Sequence, residues 1–292
     1  MRTNYLIAGI ILLCAACSSD NESINKDTLV PVTVHVSGFD VAQEDFPSTR
    51  ATPVGSYNDV NAVTLAFYNA AGTEVYKTTQ LKDDASTYTT FGSFSLALPM
   101  GSYTMVAVAY TTKDESPFVL TSPTAAAYTG LHAYDTFVKK QTVTISNTDA
   151  VDISATLNRI IAQLKVVSTD GKTADVSNVR MTFSAGGKDF NPSTGWAITN
   201  TGFANTVGIS ASTGANSTSL SVLFLAEDNQ EIDVTIETLD ADGAVLFSKT
   251  VPNVPFKRNR KTILTGAMYT NPSVSGTFQV ENTWLTDANV AF

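Results

Sequence analysis

The sequence predicts an all-β protein built as two β-sandwiches in tandem. Apolar residues recur at period two in short runs, the spacing that buries one face of a strand. Gly, Asn, Asp and Pro interrupt those runs at intervals suited to turns. Beyond the first residues, little of the chain has apolar residues at helical spacing.

Taken in order, residues 29–36 read LVPVTVHV and place Val30, Val32, Val34 and Val36 on one face of a strand. Residues 62–68 and 74–79 form a hairpin across the turn 69–72. A second hairpin is expected where Phe94, Leu96 and Leu98 alternate, residues 99–101 turn and residues 103–110 return. Residues 122–134, SPTAAAYTGLHAY, are the helix-like exception and suit one or two turns. TFVKKQTVTI is a further strand, ended by a polar break at 146–150. The pattern then restarts with the apolar run VDISATLNRIIAQLKVV, followed by VSNVRMTFSAG, SLSVLFLAED, EIDVTIETLDADGAVLFSKTV and KTILTGAMY. The sandwiches are accordingly placed at 29–147 and 148–292. No repeat of blade length is evident, so a propeller is not expected.

The N-terminus, MRTNYLIAGIILLCAACSSDNES, has the layout of a secretory signal peptide: Arg2, an apolar stretch over 5–13, then small Ala15 and Ala16. Cys17 at the cleavage point makes it resemble a bacterial lipoprotein signal, in which that Cys is lipidated and becomes the new N-terminus. Cys14 departs from the pattern, because such signals carry Leu three residues before the lipidated Cys. The apolar run is shorter than the roughly 20 residues a membrane-spanning helix needs. Residues 1–16 are thus read as the signal peptide and 17–50 as a lipidated leader carrying the first strand. Both cysteines of the chain fall in this region, so no disulfide within one mature chain and no Cys nucleophile is expected. The net charge of -9 argues against nucleic acid, which needs clustered Lys and Arg.

Chemistry-bearing constellations are few. His35 and His132 lie in different elements, and no G-x-S-x-G elbow accompanies them. His35 alternates opposite the valine face and should point to solvent. Asp240, Asp242 and Gly243 open like a calcium loop, but Ala244 stands at the fifth position, so a hairpin turn is the better reading. Trp196 and Trp284 show no clustering that would make a sugar platform, and packing roles are expected. Arg258 and Arg260, flanked by Lys257 and Lys261, form the one basic cluster, read as a solvated strand start rather than a docking site for an acidic neighbour. No catalytic, metal or cofactor set is identified.

Four segments, in order, resemble the type V fimbrillin family, pilus subunits of Gram-negative gut and oral anaerobes. They are FPSTRATPVGSYNDVNAVTLAFYNAAGTEVYK, GSYTMVAVAY, LNRIIAQLKV and VPFKRNRKTILTG, and the resemblance covers most of the chain after the leader. It implies transthyretin-like or Greek-key sandwiches and export as an outer-membrane lipoprotein. It also implies that an Arg-specific surface protease removes the leader with the first strand. The groove left behind then accepts a donor strand from a neighbouring subunit. On this chain the resemblance places the cut at Arg50–Ala51, so that the first sandwich becomes 51–147, and makes Val30, Val32, Val34 and Val36 the displaced strand. It seeks the donor at the C-terminus, where Phe278, Val280, Trp284, Ala288, Val290 and Phe292 occupy even positions. The residues themselves agree in part. Arg50 sits in FPSTRATPVG, a loop-like stretch with Pro on both sides and no strand pattern, as protease sites are. Loss of eight strand residues is expected to leave one unpaired edge and a slot roughly 26 Å long. A stalk or tip subunit, an anchor that keeps its lipid, and a non-polymerising surface lipoprotein that captures glycans or host proteins all remain open.

Overall fold

The computed structural model describes residues 28–40, 57–270 and 279–282. Among these the only helical piece is one 3-10 turn at Ala85–Thr87, and the regular structure is otherwise strand. The first strands are β1 (Leu29–Asp40), β2 (Ala62–Tyr68), β3 (Glu74–Leu81), β4 (Ser93–Pro99) and β5 (Gly101–Tyr110). β6 (Phe118–Ser122) and β7 (Ala125–Tyr128) make a short hairpin before β8 (Thr136–Ile145), β9 (Val151–Arg159) and β10 (Ile161–Ser168). There follow β11 (Asn178–Phe183), β12 (Asp189–Phe190), β13 (Phe203–Gly208) and β14 (Thr218–Phe224). The last strands are β15 (Asn229–Leu239), β16 (Val245–Lys257), β17 (Lys261–Gly266) and β18 (Gln279–Asn282).

Seven strands form one sheet in the order β3-β2-β5-β8-β9-β1-β4. β8 and β9 are joined only at Phe137↔Arg159 and Val138↔Asn158, whereas β8 pairs with β5 along its whole length. The sheet therefore opens into a four-stranded half and the three-stranded half β9-β1-β4. The valines of β1, Phe94 and Leu98 of β4, and alternate residues of β2 and β5 share one buried cluster. Side chains from both halves reach a common core only if the halves face each other, which is the geometry of a sandwich. Gln80 of β3 ties the far edges together: its Nε2 donates to the Ser93 carbonyl (2.7 Å) and its Oε1 accepts from the Gly92 N–H (2.8 Å).

Two expectations need correction here. β4 and β5 are not a hairpin: β4 pairs with β1, and β5 lies between β2 and β8. The turn at 99–101 is thus an arch from one half to the other. Alternating apolar residues look the same in both cases, because either half points them at the same core. The break at 146–150 does not separate the sheets either. β9, assigned by sequence to the second sandwich, pairs with β1 and β8 in the first sheet.

At Ile160 the chain passes from that sheet into another. β10 pairs antiparallel with β14 and parallel with β17, in the order β14-β10-β17-β18. The sheet β13-β11-β15-β16 contributes to the same core, where Leu164, Val166, Met181, Phe183, Ile236, Phe256 and Leu264 are buried together. A third cluster covers the opposite face of β2 and β5. Ala62, Tyr68, Val106 and Tyr110 pack there with Leu120, Tyr128, Ile160, Phe190 and Phe224. All seven residues of β2 are buried because both of its faces are covered.

The segment 122–134 supplies part of this cover as strand, not helix. Pro123 lies in the β6–β7 turn, and Ala126 and Tyr128 alternate inward at period two. Burial against the aromatic cluster overrides the helix propensity of the alanines.

A buried ion pair sits where β8 meets β9. Arg159 donates to Asp135 Oδ2 at 2.9 Å, and Tyr57 Oη donates to the same oxygen at 2.9 Å while accepting from Arg159. The guanidinium lies 4.9 Å from the centre of the Phe137 ring. Burial pushes the Asp135 carboxyl up and the Arg159 guanidinium down to about 9. Asp135→Ala is expected to lower the unfolding free energy by about 3–5 kcal/mol in urea titration, since it strands a buried charge. Within β1, Val34→Ala removes two buried methyl groups and should cost about 2 kcal/mol. Exposed His35→Ala should stay within about 0.5 kcal/mol.

Candidate functional site

The site begins from the placement of β1. It pairs antiparallel with β4 from Leu29↔Pro99 to His35↔Ser93, and parallel with β9 from Val32↔Val151 to Asp40↔Asn158. A register shift between Val36 and Gly38 bends it near its end. Val30, Val32, Val34 and Val36 are 0%, 1%, 0% and 4% exposed, so the face read from the sequence is the core face. The expectation of one unpaired edge is corrected. β1 is the middle strand of its half-sheet, and a chain lacking it would present two open edges, β4 and β9, above an emptied apolar slot.

On the outer face His35 is half-exposed, as alternation requires. Its Nδ1 is 3.0 Å from Ser93 Oγ and its Nε2 is 3.6 Å from the Asp152 carboxylate. These contacts lie on a solvated surface, where the side chains of His35 and Asp152 are 47% and 75% exposed.

At the other end of the chain, β18 pairs with β17 from Thr262↔Asn282 to Thr265↔Gln279 and forms the edge of its sheet. Val280 lies opposite Leu264. Cys17, Arg50, Ala51, Phe278, Trp284, Ala288, Val290 and Phe292 lie outside the described residues.

Sequence reading missed the group that holds the root of this segment. Asp170, just after β10, accepts the backbone N–H of Met268 at Oδ1 and those of Tyr269 and Thr270 at Oδ2, each at 2.8 Å. The Thr270 hydroxyl adds a fourth bond at 3.1 Å. Partial burial opposes ionisation of Asp170, but these donors outweigh it and hold its carboxyl below the usual range. Its partners lie about a hundred residues away, so nothing in its local sequence points to it.

The remaining sequence candidates find structural roles. Asp240 Oδ1 accepts the N–H groups of Asp242 and Ala244, and Gly243 has φ 86°, so the Asp-Gly stretch is the β15–β16 turn. His132 packs against Tyr134 and hydrogen-bonds with Asn205. No group of three or more metal-ligating side chains occurs among the described residues. Trp196 lies under the Arg258 guanidinium, 3.6 Å from its ring centre.

The model of a family of unknown function, DUF6562, matches residues 31–290. No curated protein matches the sequence. Among solved structures, the chain is similar to the fimbrial anchor protein Mfa2 of Porphyromonas gingivalis, with a TM-score of 0.52 at 10% identity over 88% of this chain and 98% of that one. A candidate adhesin of Bacteroides ovatus gives a TM-score of 0.52 at 11% identity, covering 88% and 94%. Another, of Bacteroides thetaiotaomicron, gives 0.51 at 11% identity, covering 88% and 97%. At these identities the likeness is one of fold, and at that level the resemblance to type V fimbrillins holds.

Because the folded pKa of Asp170 is depressed, its contribution is present above the ordinary carboxylate value and lost as pH falls through the folded one. Asp170→Ala should therefore lower Tm at pH 6, and the gap to the parent chain should close as the pH drops below 3.8. Thermal melts across that range check this.

Proposed function

The chain belongs to this family, DUF6562, and from that premise we propose that it is a surface fimbrial subunit, stalk or tip, which polymerises by exchanging β1 for a strand of a neighbouring subunit. The observation that carries this reading is the middle position of β1 between β4 and β9. Its two sheet neighbours are remote in sequence, so β1 is linked to the rest of the fold only through residues 41–56 and by non-covalent contacts. A cut at Arg50–Ala51, inside that link, converts an internal strand into a bound peptide. The replacement must run parallel to β9 and antiparallel to β4, and must present apolar side chains two apart. The C-terminal alternation meets the last requirement, and Val280 and Val290 match in size the valines they would replace.

Export through Cys17 lipidation would hold the precursor at the outer membrane until an Arg-specific surface protease acts. The partners in this reading are the membrane through the lipid, that protease, and neighbouring subunits. Sharing its fold with a fimbrial anchor protein favours a second reading, an anchor that keeps both its lipid and β1.

The deciding measurement is the N-terminus and mass of the surface protein before and after treatment with an Arg-specific protease. A new N-terminus at Ala51 with SDS-resistant ladders is expected, and Arg50→Gln should abolish both. A chain that stays lipidated at Cys17 and monomeric after treatment sinks polymerisation and leaves the anchor.

A further inference from the structure

The first sheet opens where β8 and β9 part company. Beyond Val138 and before Asn158 the two strands no longer pair, and the wedge between them is a cleft of about 380 Å³. Its far wall is the loop 192–195 and the β16–β17 turn, where Asn259 holds φ 57°. This volume falls in the range of sites that take small organic ligands, roughly 300–1,000 Å³.

The lining is unlike the rest of the molecule. In a chain of net charge -9, Lys139, Lys140 and Arg258 border the cleft, and no carboxylate residue lines it. Among the described residues none of these three cations forms an ion pair. Two acids lie close by without lining the cleft. Asp135 pairs with Arg159 at the base of the wedge, and Asp228, whose backbone carbonyl accepts the Arg258 N–H, attracts the Arg258 guanidinium without forming an ion pair with it.

Two of the cations are also held in position. Arg258 stacks on Trp196 at 3.6 Å and donates to the Thr194 carbonyl at 3.0 Å. Lys140 Nζ donates to Ser193 Oγ. Gly195, at φ 74°, lets the loop close on this arrangement. A Cβ there would come within 2.8 Å of Ile160 Cγ2 and 3.2 Å of an Arg258 nitrogen.

We propose that this wedge binds an acidic saccharide, a sugar residue bearing a carboxylate or sulfate. The three cations meet the anionic group through charge-assisted hydrogen bonds. Asn158, Ser193, Thr194 and Asn259 supply polar partners for ring hydroxyls. A bare inorganic anion would use the charges and leave the rest of the cleft unmatched. The cleft lies on the β8-facing edge of β9 and the β1 ladder on the other, so the proposal does not depend on strand exchange.

The test is calorimetric titration of the full mature chain with glucuronate and N-acetylglucosamine 6-sulfate, against glucose, N-acetylglucosamine and inorganic sulfate. At least one acidic sugar should bind at least tenfold tighter than its neutral counterpart and than sulfate, and weaken as salt is raised. Lys139→Gln, Lys140→Gln and Arg258→Gln should each cut that affinity tenfold or more. Lys165→Gln, on β10, should leave it unchanged. Variants are compared only where thermal melts show the parent fold, and half-exposed Lys139 serves if Arg258→Gln fails to fold. Equal affinity for sulfate and the sugars overturns the saccharide assignment. Absence of binding, or binding indifferent to the folded variants, overturns the site.

Discussion

β1 fills the space between β4 and β9, and the first sandwich depends on that space being filled. Its four buried valines are worth roughly 1.5–3 kcal/mol each in apolar burial, together comparable with the whole stability of an ordinary domain, about 5–15 kcal/mol. Both ladders of the strand also satisfy backbone groups that β4 and β9 would otherwise leave open. A half-sheet of β4 and β9 alone has no hydrogen bonds across its centre. The slot must hold β1 or something that reproduces its alternation and its two ladders, which is why the identity of the occupant is the central functional question.

The rest of the fold gives that slot a rigid frame. The aromatic cluster over the outer face of β2 and β5 joins the first sheet to β12 and β14, with Tyr110 and Phe118 at 4.0 Å and Phe190 and Phe224 at 4.7 Å. Ile160 belongs to the same cluster at the point where the chain changes sheets. The sandwich built around β1 and the core under β15 and β16 therefore share packed side chains, and strain at one is felt at the other. Asp170 fastens the chain just beyond β17, from Met268 to Thr270.

Two charged features meet at the same junction. The Arg159–Asp135 pair with Tyr57 sits where β8 and β9 meet, and the cationic wedge opens immediately beyond it. Arg159 belongs to the LNRIIAQLKV segment that carried part of the family resemblance. In the fold it closes the first sheet, where its charge is matched by Asp135 and its flat face by Phe137. Arg258, from the basic cluster read as a solvated strand start, is held by Trp196 and the 192–195 loop instead.

By itself the sequence determined most of the strands and the buried face of β1. Ala62–Tyr68 and Thr136–Ile145 appear with the limits read from alternation, the β1 valines point inward, and Asp240 to Ala244 turns as its Asp-Gly chemistry requires. These are local properties: period-two burial and positive φ are set within a few residues. Only the tertiary structure decided the pairings. It put β1 between β4 and β9, moved β9 into the first sheet, made an arch of an expected hairpin, drew the 122–134 segment out as strand, and brought Asp170 to Met268. The physical reason is that an alternating strand satisfies its pattern against any partner that shares its core. Choosing among such partners takes contacts between residues far apart in the chain, which no local window of sequence contains.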